Sequence, residues 1–144
     1  MNLIASFTKK FEEKAVFSST LRLFCNLYYN SMVKREIALA KITAKDHVLC
    51  IGGGPLPWTA IQIAKITGAK VTVIDNDPCT LSFAKQIIEN YNLSHLIEVK
   101  IGNGQTTDSS SYTVTHVAVQ ARPHDKILEN VLSRANHGSR VLMR

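Results

Sequence analysis

The chain carries only three cysteines, four prolines and one tryptophan, and no apolar run approaches the ~20 residues needed to cross a bilayer. A membrane-spanning helix is therefore not expected. Cys25, Cys50 and Cys79 are widely spaced and form no CxxC pair, which argues against zinc-ribbon and thioredoxin-like chemistry. Free thiols in a cytoplasmic protein is the simplest reading of them. Residues 1–17 mix Lys9, Lys10, Glu12, Glu13 and Lys14 with apolar side chains, so no unbroken apolar segment of a secretory signal is present. The histidines His47, His95, His116, His124 and His137 are dispersed, and no metal site is expected. The net charge of +6 would suit a nucleic acid or an acidic lipid surface, but the positive residues are scattered. Only Lys9 and Lys10 sit among aromatics, Phe7 and Phe11. Solvated helix faces and loop ends account for the rest, which disfavours a nucleic-acid partner.

What is present is an ordinary globular composition, 45% apolar and 19% charged, in 144 residues. That is enough for one domain with its own core. Residues 3–42 have a helical pattern: Leu21, Phe24, Tyr28, Met32, Arg35, Ala38 and Ile42 step at three- and four-residue intervals. Ser18, Ser19 or Thr20 would cap the second of two helices. From there the chain alternates. Strands are expected at 47–51, 70–75, 97–101, 115–120 and 140–143, and helices at 57–67, 78–90 and 125–135. Gly68 is placed as a helix C-cap and Pro78 at a first helical position. This rhythm predicts an α/β fold: a Rossmann-like parallel sheet of about five strands in the order 3-2-1-4-5, with helices on both faces. The expected organisation is a single domain over 1–144, with N-terminal helices in 1–44 and the Rossmann-like core in 45–144. An exposed edge strand invites pairing with a second chain, which leaves a homodimer open.

The most informative segment is the loop after the first strand: Gly52, Gly53, Gly54, Pro55, Leu56, Pro57. Glycines there let the backbone approach a ligand closely, and the following helix aims free N–H groups at it. Asp75 ends the second strand 21 positions after Gly54, followed by Asn76. An acidic residue about 20 residues past such glycines is placed to accept from ribose hydroxyls. Either Asn76 or Asp77 could instead cap the next helix. Both NAD and S-adenosylmethionine carry such a ribose. Pro57 stands where a dinucleotide pattern wants its third glycine, which favours S-adenosylmethionine as cofactor. After the third strand, Gly102, Asn103 and Gly104 put an amide where an adenine edge could be read, although Asn-Gly is also a common turn. Gln120, at the end of the fourth strand, either lines that pocket or merely ends the strand. His124 and Asp125 follow the fourth strand and could face an acceptor, although helix capping is the first reading of Asp125. Arg122 could bind a substrate carboxylate or simply be solvated at the strand end.

In layout, Gly52 to Ile61 followed by Ile74-Asp75-Asn76-Asp77-Pro78 resembles the class I S-adenosylmethionine-dependent methyltransferases. In detail it is similar to the Rossmann domain of nicotianamine synthases, whose glycine loop continues Pro-Leu-Pro. The closing Gly138-Ser139-Arg140-Val141-Leu142-Met143-Arg144 is similar to that family's fifth strand. Tyr29 and Glu36 resemble a Tyr and Glu pair of the family, which implies a catalytic role for both. The resemblance implies transfer of a methyl or an aminocarboxypropyl group from S-adenosylmethionine to a small amine-type acceptor. It would place Gly52, Gly53, Gly54, Pro55 and Leu56 around the methionine part, Asp75 at the ribose and Asn103 at the adenine.

Two departures stand beside the resemblance. Cys50 replaces the acidic residue that many methyltransferases carry at the end of strand one, and Gln120-Ala121-Arg122-Pro123 is not the Asn-Pro-Pro-aromatic motif of base and glutamine methylation. The chain is also about half the length expected of a full nicotianamine synthase, so the completeness of the acceptor pocket is left open. The alternatives are a non-catalytic S-adenosylmethionine-binding module or subunit and, disfavoured by Pro57, an NAD(P)-dependent oxidoreductase.

Overall fold

The computed structural model describes residues 19–144. The helix expected from residue 3, a cap at Ser18 and the Lys9/Lys10 pair lie outside the described residues. The elements run α1 (Ser19–Ala40), β1 (His47–Ile51), α2 (Trp58–Thr67), β2 (Lys70–Asp75), α3 (Pro78–Asn90), β3 (Ile97–Ile101), β4 (Val114–Val117), α4 (His124–Arg134) and β5 (Arg140–Met143). All strand pairs are parallel, and the sheet order is β3-β2-β1-β4-β5. The expected order is therefore the observed one.

Period-two alternation along the strands divides the core into two layers. Val48, Cys50, Val71, Val73, Ile97, Val99 and Val114 join Val33 of α1, Ile61 of α2, and Ala84, Ile87 and Ile88 of α3. Leu49, Ile51, Ile74 and Val117 pack with Ile127 and Val131 of α4 on the other face. Each large side chain buried this way contributes roughly 1.5–3 kcal/mol. The helix ends follow from local chemistry. Gly68 closes α2 at φ +73°, with its N–H on the Ala64 carbonyl. Asp77, one of the two candidate caps, accepts from Cys79 N at 3.0 Å, and Pro78 opens α3.

Three expectations need correction. In α1, Tyr28, Arg35 and Ala38 of the expected apolar stripe are exposed, while the inward row is Tyr29, Val33, Ile37 and Ala40. Apolar residues occur around this helix, with Leu23, Leu27 and Leu39 also exposed, so periodicity alone does not fix its face. Strand β4 is shorter than the expected 115–120. Ala118 N still reaches Ile51 O, but Ala121 N bonds back to Ala118 O, so 118–121 turns off the sheet. Finally, α4 has Pro123 at its N-cap and no side-chain cap, so Asp125 lies inside the first turn, where its charge meets the helix dipole.

Candidate functional site

The glycine loop is built into the sheet by its own backbone. Gly52 N and Gly53 N both point to Ile74 O, at 2.8 and 3.3 Å. A Cβ on Gly53 would lie 2.1 Å from Val73 Cγ1, so the loop can cross β2 this closely only with glycine there. Gly54 N donates to Asp75 Oδ2 at 2.8 Å, while Asp75 Oδ1 accepts from Asp77 N at 2.9 Å. The Asp75 carbonyl also accepts from Gly102 N at 3.0 Å. Asp75 therefore joins the loops after β1, β2 and β3, and its two oxygens retain lone pairs for a further donor. Asn76 is exposed beside it. Asn103 Oδ1 accepts from Gln105 N at 2.9 Å, and the Asn103 carbonyl accepts from Thr106 N and Thr107 N. The turn considered for this residue thus exists, and it uses the amide oxygen rather than the amide nitrogen.

Beyond the carboxyl ends of β1 and β4 opens a cavity of about 320 Å3. Gly52, Gly53, Leu56, Trp58, Gln120, Tyr29, His116 and Arg144 are among the residues lining it. Gln120 Nε2 donates to Gly52 O at 2.7 Å, so the end of β4 holds the glycine loop in place. Across the cavity, Arg144 clamps Glu36 with two bonds, Nε to Oε1 at 3.0 Å and Nη2 to Oε2 at 2.6 Å. Its Nη1 reaches Thr59 Oγ1 at 3.4 Å, and its guanidinium lies 5.7 Å from the centre of the Tyr29 ring. Such bidentate contacts are the strong, directional kind. Burial pushes the Glu36 carboxyl up, but the neighbouring His116 ring and the bonds and charge of Arg144 outweigh it and bring the pKa to about 2. Burial pushes the Cys50 thiol up to about 12, so it is a packing group and not a nucleophile. Trp58 Nε1 and His116 Nε2 are both buried without a hydrogen-bond partner.

Of the site residues expected from sequence, Gly52, Gly53, Leu56, Gln120 and Tyr29 meet in this cavity, and Glu36 is bonded to its wall through Arg144. Gly54 is tied to Asp75 at the loop's β2 side. Pro55, Asp75, Asn76, Gly102, Asn103 and Gly104 do not line the cavity; the last five lie at or just after the ends of β2 and β3, farther along the same sheet edge. Arg122 and His124 are not part of it either: they bond each other at 3.3 Å, and His124 Nε2 contacts Ala118 O. Arg144, His116 and Trp58 are site residues that sequence reasoning missed. A histidine among valines on a core strand was the available signal for His116. Among the described residues there is no group of three potential metal ligands, and no helix is long and apolar enough to cross a membrane.

With the geometry in place, comparison with known proteins adds a frame. The profile of the family described as Alanine dehydrogenase/PNT, C-terminal domain, matches residues 25–142. L-histidine 2-aminobutanoyltransferase of Yersinia pestis is 28% identical over 118 residues, which cover 81% of this chain and 43% of the relative. Among solved structures, a Glu-to-Gln mutant of MtNAS superposes with a TM-score of 0.82 at 25% identity, over 99% of this chain and 55% of that one. The same mutant has been solved in complex with S-adenosylmethionine. An RNA methyltransferase from Salinibacter ruber in complex with S-adenosyl-L-homocysteine matches 78% of this chain and 73% of its own, with a TM-score of 0.72 at 22% identity. The chain thus spans less than half of the curated relative and little more than half of MtNAS.

Proposed function

The chain belongs to the family described as Alanine dehydrogenase/PNT, C-terminal domain, and within that Rossmann-like frame we propose that it is an S-adenosylmethionine-dependent transferase acting on a small amine-type acceptor. Between the two groups that could move, the reading favours aminocarboxypropyl over methyl. The observation that carries it is the cavity at the strand ends, with the glycine loop and Gln120 on one side and Tyr29 and Arg144, ion-paired with Glu36, on the other. The names of the relatives support it: an aminobutanoyltransferase, and MtNAS with S-adenosylmethionine bound.

The residues fit this cofactor on two counts. The loop presses against β2 so closely that a side chain at Gly53 would collide with Val73. One buried polar atom at the cavity, Trp58 Nε1, lacks a partner inside the protein. Gly52, Gly53, Gly54, Pro55 and Leu56 would hold the methionine part, Asp75 and Asn76 the ribose, and Gly102, Asn103 and Gly104 the adenine. Gln120 would act through the loop, whose Gly52 carbonyl it holds. Bound there, S-adenosylmethionine supplies a sulfonium with three carbons open to attack by an amine.

The protein's own part is selection and orientation. Placing a nucleophile against one carbon and not another is a matter of proximity and alignment. Glu36, held ionised at about 2, is a weak proton acceptor at neutral pH. Its role in this reading is to steady the positive charge that develops on the acceptor's neutral amine nitrogen as the N–C bond forms and the C–S bond breaks. The proton then leaves to solvent, while Tyr29 and the Arg144 guanidinium frame the space beside Glu36. A carboxylate on the ligand or acceptor would find its counter-charge in Arg144.

The test is the by-product. The protein is incubated with S-adenosylmethionine and a pool of amino acids and small amines, and the nucleosides are identified by mass spectrometry. Methylthioadenosine supports aminocarboxypropyl transfer, and S-adenosylhomocysteine supports methyl transfer. Tight binding with neither product returns the non-catalytic module.

A further inference from the structure

His116 sits on the core strand β4, in register with Cys50 of β1 and Leu142 of β5, and is 1% exposed. A valine would fill such a position without polar cost, as Val114 and Val117 do on the same strand. Instead a buried ring nitrogen is left unpaired: Nε2 has no aligned hydrogen bond. Leaving such an atom unsatisfied costs roughly 1–3 kcal/mol. The nearest acid is Glu36, whose Oε2 lies 3.4 Å from His116 Nε2. That same oxygen takes the shorter of the two bonds from Arg144, at 2.6 Å. The charged or titratable groups around the ring are therefore Glu36 and Tyr29 from α1, Cys50 from β1 and Arg144 after β5. Of these, Tyr29, Cys50 and Arg144 line the cavity together with His116.

The position of Glu36 Oε2 between two donors suggests a handover. Arg144 is the cavity's cation, and a ligand carboxylate would draw it away from Glu36. Without a second donor, Glu36 would then be left as a largely buried charge with no partner, which is among the most expensive arrangements in a protein. His116 needs to close only a few tenths of an ångström to make a hydrogen bond of ordinary length. We propose that His116 is a positioning residue that shares Glu36 with Arg144, so that Arg144 can engage a ligand carboxylate while Glu36 keeps a hydrogen-bonded partner. The proposal rests on the transferase reading for the ligand's identity, but not for the coupling between the two side chains.

Two arms test it. The first reads the free protein: long-range 1H–15N spectra report which ring nitrogen carries a proton. Because a carboxylate only accepts, His116 must be protonated on Nε2, and Glu36→Ala must disturb that state. A bare Nε2 in the unmutated chain overturns the proposal. The second compares affinity for S-adenosylmethionine, which has a carboxylate, with affinity for methylthioadenosine, which has none. H116F is expected to lose about tenfold toward the first and to stay within about twofold toward the second, and H116Q, which restores a donor, to recover most of the loss. An unchanged ratio in H116F overturns the proposal. If neither nucleoside binds the unmutated protein, the transferase reading fails, and the first arm alone decides the role of His116. That arm needs no substituted histidine to fold.

Discussion

Removing the charge of Glu36 should change how the fold responds to acid, and by an amount the structure sets. The Glu36 carboxyl drops from an ordinary 4.5 to about 2 in the folded chain, with burial opposing the shift and His116 and Arg144 producing it. Its side chain is 16% exposed, so solvent screens part of the effect, and the linked stability is roughly 2–3 kcal/mol. The folded pKa lies below the unfolded one, so the contribution is fully present above pH 4.5. As pH falls from 4.5 towards 2, the unfolded chain takes up the proton first and the contribution drains away. Below 2 it is gone. Glu36→Gln should therefore destabilise the protein by that amount at pH 7 and by almost nothing at pH 2. Urea unfolding followed by the fluorescence of Trp58, the only tryptophan and a buried one, measures both limits. Asp46 is also lowered, against its own burial, by bonds from Thr113, Thr43 and Arg140, so the absolute acid slope mixes two carboxyls. The difference between the two proteins isolates Glu36. A difference that stays constant from pH 7 to pH 2 would refute the reasoning, since the ion pair would then carry no linked proton.

Three other perturbations have definite expectations. Gly53→Ala places a methyl 2.1 Å from Val73 Cγ1 and should cost about 1–3 kcal/mol of stability, with Val73→Ala in the same chain recovering part; thermal melts check both. Asp75→Ala removes the acceptor of Gly54 N and Asp77 N, so the fold should lose a few kcal/mol and affinity for any ribonucleoside should fall about tenfold or more, read by calorimetry. Iodoacetamide at pH 8 should modify exposed Cys79 in the folded protein and spare Cys50 until urea is added, because Cys50 is buried and its thiol sits at about 12; equal labelling by peptide mapping would contradict the packing of β1.

The sheet was readable in the sequence because its signals are local. Val-rich runs, a Gly68 cap, an Asp77-Pro78 helix start and the glycine loop each act over a few residues, and four of the five strands fall where the pattern puts them. The face of α1 was not readable, because apolar residues surround that helix and the choice is made by what the sheet offers it. For the same reason the partners of Glu36 were hidden. Arg144 lies 108 positions away in the chain, and only the parallel order of β1, β4 and β5 brings it and His116 to the same carboxylate. Asp75 was singled out by its spacing from the glycines, but its bond to Gly54 N was not legible, since spacing says nothing of which side-chain oxygen meets which amide. The cap expected at Asp125 failed for a related reason: Pro123 already fixes the chain entering α4, and the acid falls within the first turn.

Titration calorimetry with S-adenosylmethionine and NAD as the two injected ligands, under identical conditions, reaches the central claim most directly. Saturable binding of S-adenosylmethionine at one site per chain is expected, weakened by Asp75→Ala, with no comparable heat from NAD. Binding of NAD with none of S-adenosylmethionine would contradict it and return the chain to dinucleotide chemistry.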